Sequence, residues 1–157
     1  MQSGVTLRIM KPYELLDISG DAGLRAFGST AEELFLNAAL GMYSLIADLE
    51  AVKSEETIEV SLTHDSPEGL LVAWLNELIF RFDAHGFIGK EIVITESPCG
   101  KDITGGSRQY TMTASVSGEH FDPERHKGKL LVKAATYHRL KVELREGCWT
   151  AEIVFDI

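Results

Sequence analysis

The chain has only two cysteines among its 157 residues, Cys99 and Cys148, and no Cys-x-x-Cys or zinc-ligand spacing. A disulfide framework and a cysteine-held zinc centre are therefore excluded as organising features, and the pair reads as two reduced thiols without a function. Prolines number four, and no low-complexity tract, repeat or linker interrupts the sequence, so a single domain is expected. No apolar run approaches the roughly 18 residues of a membrane span. The first ten residues lack a charged n-region followed by an apolar h-region, which excludes a recognisable secretory signal and leaves the cytoplasm as the expected location. Positive charge is also scarce. Fifteen Lys and Arg face 24 Asp and Glu, a net charge of -9. Such a surface repels a phosphate backbone, so direct, stable RNA binding is not expected.

Catalytic signatures are missing as well. Gly100 to Arg108 is glycine-rich, but it lacks the Gly-x-x-x-x-Gly-Lys-Ser/Thr order and joins two strands, so it reads as a mobile hairpin loop and not as a phosphate cradle. There is no nucleophile elbow. Acyl transfer and autonomous nucleotide hydrolysis therefore have no support in the motifs.

The sequence does contain a clear alternation of elements. Ser29, Thr30, Glu32 and Glu33 form a capping-box start for a helix whose Leu34, Phe35, Ala38, Met42, Leu45 and Ile46 recur at helical spacing. Ser66-Pro67 opens a second helix carrying Leu70, Leu71, Trp74, Leu75, Leu78, Ile79 and Phe82 on one face, and Gly86 ends it. Both stripes read as core. Strands are expected at Thr57 to Leu62, Glu91 to Thr95, Tyr110 to Val116, Leu130 to Thr136 and Leu140 to Leu144. A last strand follows a hairpin through Arg145-Glu146-Gly147. The sum is an α+β domain over residues 11–157, two main helices packed on an antiparallel or mixed sheet, with residues 1–10 expected to be poorly ordered.

Two places collect acid where an amphipathic strand ends. Along Thr150 to Ile157, Ala151, Ile153 and Phe155 share a face, which puts Asp156 on the opposite one, beside the last residue. Asp21 follows a strand, Leu16-Asp17-Ile18, and precedes a second, Leu24 to Gly28. Asp21-Ala22-Gly23 reads first as turn chemistry, with the glycine at positive φ, and second as a ligand-bearing turn. Among the histidines, none of which lies close in sequence to either acid, His138 in Ala135-Thr136-Tyr137-His138 reads first as a structural side chain at a strand end. The basic residues Arg125, Lys127, Lys129, Lys133, Arg139, Lys141 and Arg145 read first as solvated strand faces and second as a docking strip.

The segments Leu16 to Gly28, Ser29 to Leu40, Val132 to His138 and Phe155-Asp156-Ile157, in this order and spacing, resemble the archease family over about Tyr13 to Ile157. In that family a His-Thr-Ala-Asp motif and a C-terminal Asp-Ile pair hold metal. The resemblance implies that Asp21, Asp156 and Ile157, the last through a main-chain or terminal oxygen, bind a divalent cation here, and that Lys133, Tyr137 and His138 are possible partner contacts. This chain departs from the motif, reading Ile18-Ser19-Gly20-Asp21 with isoleucine in place of histidine. An all-oxygen donor set suits a hard cation, calcium foremost, with magnesium or manganese as alternatives, and three donor groups leave the coordination unfinished. The resemblance further implies a non-catalytic accessory protein of an RtcB-type RNA ligase of tRNA splicing, promoting the ligase's guanylylation and multiple turnover. The alternatives are a metal-dependent hydrolase using Asp21 and Asp156, and a chaperone-like protein-binding module.

Overall fold

Hydroxyl side chains start both helices. In the computed structural model, which describes residues 11–102 and 107–157, the Thr30 hydroxyl accepts the Glu33 N–H at 3.0 Å, and the Glu33 carboxylate accepts the Ser29 N–H at 3.0 Å. Helix α1 (Ala31–Ile46) follows. It ends without a glycine, so its last carbonyls need outside donors. The Leu130 and Lys129 N–H groups supply them, to Leu45 at 3.0 Å and Ile46 at 2.8 Å, and the Lys129 ammonium reaches Ser44 at 3.2 Å. Helix α2 (Pro67–His85) has Ser66 as its cap, proline in its first turn and a left-handed Gly86 at its end. A 3-10 turn, Leu49–Ala51, follows α1.

The strands are β1 (Tyr13–Ile18), β2 (Asp21–Gly28), β3 (Glu56–His64), β4 (Phe87–Asp102), β5 (Arg108–His120), β6 (Ala134–Ala135), β7 (Lys141–Arg145) and β8 (Cys148–Asp156). They form two antiparallel sheets. One has the order β1-β2-β8-β6 with β7 also on β8, and the other has the order β3-β5-β4. Each helix packs against strands of both sheets, which makes a single α+β domain. Trp74 of α2 is fully buried and donates its indole N–H to the Phe35 carbonyl of α1 at 3.0 Å, locking the helices together. No described helix is long and apolar enough to cross a membrane.

Two readings of the sequence need correction. The strand expected over Leu130 to Thr136 is reduced to Ala134–Ala135. The N–H groups of Lys129 and Leu130 serve the end of α1, so the chain there runs as a strap between helix and sheet. The β4–β5 ladder continues to Asp102 opposite Arg108, further into the glycine-rich segment than a loop reading allowed. The rest of that segment, 103–106, lies outside the described residues, as does the stretch 1–10 expected to be poorly ordered. The β7–β8 hairpin is as expected: Glu146 and Gly147 form a two-residue turn at φ 50° and 77°.

The strap begins at a buried polar knot. Glu119 is 5% exposed and His126 is fully buried. The Glu119 carboxylate accepts from Arg125 at 2.5 and 2.9 Å, from His126 Nε2 at 2.9 Å and from the Lys53 N–H at 2.6 Å. His126 Nδ1 accepts the Asp122 N–H at 2.9 Å, so the ring proton sits on Nε2 and points at Glu119. The Arg125 guanidinium, then the His126 and Lys53 donors, hold the Glu119 carboxyl well below the usual carboxylate range against the opposing effect of burial. A depressed carboxyl contributes stability that is complete above its unfolded value, about 4.3, and is lost as pH falls below that.

Two outcomes are expected. In thermal melts, wild-type protein is more stable than Glu119→Gln at neutral pH, and the difference shrinks between about pH 4 and pH 2; a constant difference would show that the carboxylate charge contributes nothing. At Gly118 an added Cβ would overlap the Ile88 carbonyl oxygen and lie 2.8 Å from the Gly89 Cα. Gly118→Ala should therefore cost about 1–3 kcal/mol in denaturant unfolding.

Candidate functional site

The two acids meet because β2 and β8 pair. Their ladder sets Ala22 against Phe155, Gly23 against Val154, Leu24 against Ile153 and Arg25 against Glu152. Continuing this register by one residue places Asp21 opposite Asp156. Directly opposed residues project from one face, with Cα atoms about 4.5–5.5 Å apart. Leu24, Ile153 and Phe155 point into the core and are fully buried, so Asp21 and Asp156 belong to the outward face. Ile18 is the ladder partner of Asp21 on β1, and Ala134 that of Asp156 on β6. The sheet thus ends in a row reading Ile18, Asp21, Asp156, Ala134. Ile157 follows at 40% exposure.

Asp21 is not the turn residue that its sequence neighbourhood suggested. The two-residue turn is Ser19-Gly20, with Gly20 at φ 79°, and Asp21 begins β2. Gly23 lies within the strand, where the Ile18 side chain folds over it; a Cβ there would collide with Ile18 Cδ1. The row below the acids is therefore apolar: Leu16, Gly23 and Val154. One row further, Arg25 bridges Glu14 at 2.6 Å and Glu152 at 3.0 Å. The hydrogen bonds that Arg25 donates to Glu152 and then to Glu14 raise its pKa, so this cation is committed away from Asp21 and Asp156.

Among the described residues, neither Asp21 nor Asp156 has a salt-bridge partner, and no group of three or more His, Cys, Asp or Glu side chains gathers at metal-binding distance. The tip offers two carboxylates with main-chain oxygens beside them. Its chemistry fits a hard cation and leaves positions for water or another protein's oxygens.

The expected partner-contact residues lie next to this tip. The Lys133 N–H donates to the Asp156 carbonyl at 2.8 Å. Thr136 fastens the following turn to β8 twice, through its N–H at 3.0 Å and its hydroxyl at 2.8 Å to the Val154 carbonyl. Tyr137, 59% exposed, and the exposed His138 project from that turn. The basic strip divides: Arg125 is consumed by Glu119, Arg145 pairs with Glu143 at 3.2 Å, and Lys129 caps α1. Sequence reasoning missed Asn76, whose amide bonds both the N–H and the carbonyl of Ala135. Its only signal was a polar residue beside the apolar stripe of α2.

Fold and tip together define an α+β protein with an outward carboxylate pair at the end of a five-stranded sheet. The chain belongs to the archease family: the model of the Archease protein family matches residues 13–157. It is similar to the protein archease of Methanosarcina mazei, 38% identical over 147 residues that cover 94% of this chain and 97% of that protein. The protein archease of Pyrococcus furiosus is 34% identical over 150 residues, covering 94% and 100%. Among solved structures, that of Methanobacterium thermoautotrophicum protein 1598 matches with a TM-score of 0.72 at 31% identity, over 94% of this chain and 100% of that one. An archease from Thermotoga maritima, described as a possible chaperone, shares the fold with a TM-score of 0.59 at 19% identity, over 95% and 98%.

Like charges opposed in a ladder repel, and the effect is screened by salt. Asp156→Asn should therefore stabilise the metal-free protein by about 0.2–1 kcal/mol at low ionic strength. Raising the salt to about 0.5 M should erase that gain. Thermal melts in chelator, with and without salt, check it, and an unchanged or lower melting temperature would show that the two carboxylates do not sense each other.

Proposed function

We propose that this chain is a non-catalytic accessory protein that activates an RtcB-type RNA ligase in the cytoplasm, promoting its guanylylation and multiple turnover in tRNA splicing. Its working part, on this reading, is the tip at which Asp21, Asp156 and Ile157 hold a divalent hard cation, calcium in the isolated protein. The observation that carries the reading is the β2–β8 register, which sets Asp21 against Asp156 on an exposed sheet end in a chain of the archease family.

The protein's own residues do three things there. Asp21 and Asp156 concentrate negative charge and hard oxygen donors at one point, because burial of their strand neighbours holds them in register. The apolar row of Leu16, Gly23 and Val154 separates the pair from the Arg25 row, where Glu14 and Glu152 hold the guanidinium. Lys133, Tyr137 and His138 offer a cation, a ring and an imidazole on the adjoining segment, where a partner approaching the tip would meet them. When bound, a divalent cation at such a tip supplies charge neutralisation for a triphosphate. The incomplete donor set supports presentation to another active site over storage. The net charge of -9 supports action through a protein and not through a direct grip on RNA.

The test is a guanylylation assay with limiting ligase. Wild-type protein should accelerate nucleotidyl transfer and sustain several turnovers, and Asp156→Ala should lose that effect by at least about ten-fold, in line with the cost of disturbing a metal's surroundings. Equal acceleration by both proteins would remove the tip from the mechanism, and no acceleration by either would remove the ligase from the function.

A further inference from the structure

Asn76 makes two hydrogen bonds to a single residue. Its Nδ2 donates to the Ala135 carbonyl at 3.1 Å, and its Oδ1 accepts the Ala135 N–H at 2.8 Å. A side-chain amide used in this way imitates the backbone of a neighbouring strand. β6 needs such a substitute, because it is two residues long and pairs with β8 on one side only. Ala135 and Ala134 are the ladder partners of Phe155 and Asp156, and the Lys133 N–H bonds the Asp156 carbonyl. Asp156 is therefore held between β2, fixed by the core, and β6, fixed from outside by helix α2.

We infer that Asn76 is a positioning residue for the carboxylate pair: through Ala135 it sets Asp156 against Asp21, and with it the affinity of the tip for a divalent hard cation. This rests on the reading of the tip as a cation site. The amide acts at one remove, since its atoms bond β6 and not the carboxylates. An amide that served stability alone would leave cation affinity as it is.

The experiment uses the full chain, with calcium titrated by calorimetry and terbium luminescence lifetime reporting how many waters remain on the bound ion. Asn76→Ala should bind calcium about ten-fold more weakly and leave terbium with more water, the size of loss typical when a residue behind a metal ligand is removed. Ser66→Ala, which removes the hydroxyl cap of the same helix, should lower the melting temperature and leave calcium affinity within two-fold. Equal weakening in both variants, or none in Asn76→Ala while Asp156→Ala abolishes binding, overturns the role of Asn76. If the wild-type protein binds no calcium, or Asp156→Ala binds it as well as wild type, the cation reading itself fails, a result distinct from the previous one. A readout on the wild-type protein covers the case in which Asn76→Ala does not fold. Binding and clamp are reciprocally linked, so calcium should slow hydrogen exchange of the Ala135 and Lys133 amides about ten-fold, and unchanged exchange would overturn the inference.

Discussion

The pairing of β2 with β8 is the constraint on which the rest of the molecule depends. It joins the opening hairpin of the described chain to its closing strand, across most of the sequence, and buries Ala22, Leu24, Ala26, Ala151, Ile153 and Phe155 under α1. A slip by one residue would turn Ile153 and Phe155 to solvent, since strand side chains alternate. Full burial of such a side chain is worth about 1.5–3 kcal/mol, whereas opposed like charges cost about 0.2–1 kcal/mol. The core therefore dictates the register, and the meeting of Asp21 and Asp156 is a consequence that the acids themselves oppose.

The rows beneath the acids keep this opposition intact. Arg25 stands on the same face and would quench the pair if it could reach, but Glu14 and Glu152 hold it from either side. Half-buried ion pairs at a sheet surface add little stability, so their effect lies in where they leave the guanidinium. Between Arg25 and the acids, Ile18 lies over Gly23, where an added Cβ would push its Cδ1 aside. Ile18 is thus built into the local packing, with the glycine two places beyond Asp21 as its complement.

Much of this was legible in the sequence, and the illegible parts share a cause. Both helices could be read because hydroxyl caps, a first-turn proline and a terminal glycine act locally. Strand β8 could be read because Ala151, Ile153 and Phe155 alternate with Thr150 and Glu152, although Val154 is buried as well. The assignment of positive φ to Gly23 instead of Gly20 failed because both glycines suit a turn, and only the β1–β2 ladder decides between them. Leu130 to Thr136 has strand composition, but its first amides are taken by carbonyls at the end of α1, a partner no local pattern announces. The Glu119, Arg125 and His126 knot and the Asn76 clamp were invisible for the same reason. Residue type states what a group can bond, and only the fold states to what.

An acidic tip with few donors has a thermodynamic consequence of its own. Whatever binds the folded form alone stabilises it by mass action, and a cation between Asp21 and Asp156 would also relieve the repulsion that the core imposes. Two carboxylates and neighbouring main-chain oxygens fall short of the six to eight oxygens that calcium takes. On the proposed reading, a partner that completes the shell gains from the cation as much as the cation gains from the partner, because coupling between two ligands is reciprocal. The tip is then weak alone and firm in the complex, and that difference lets a small acidic protein arrive at an active site, take part and leave.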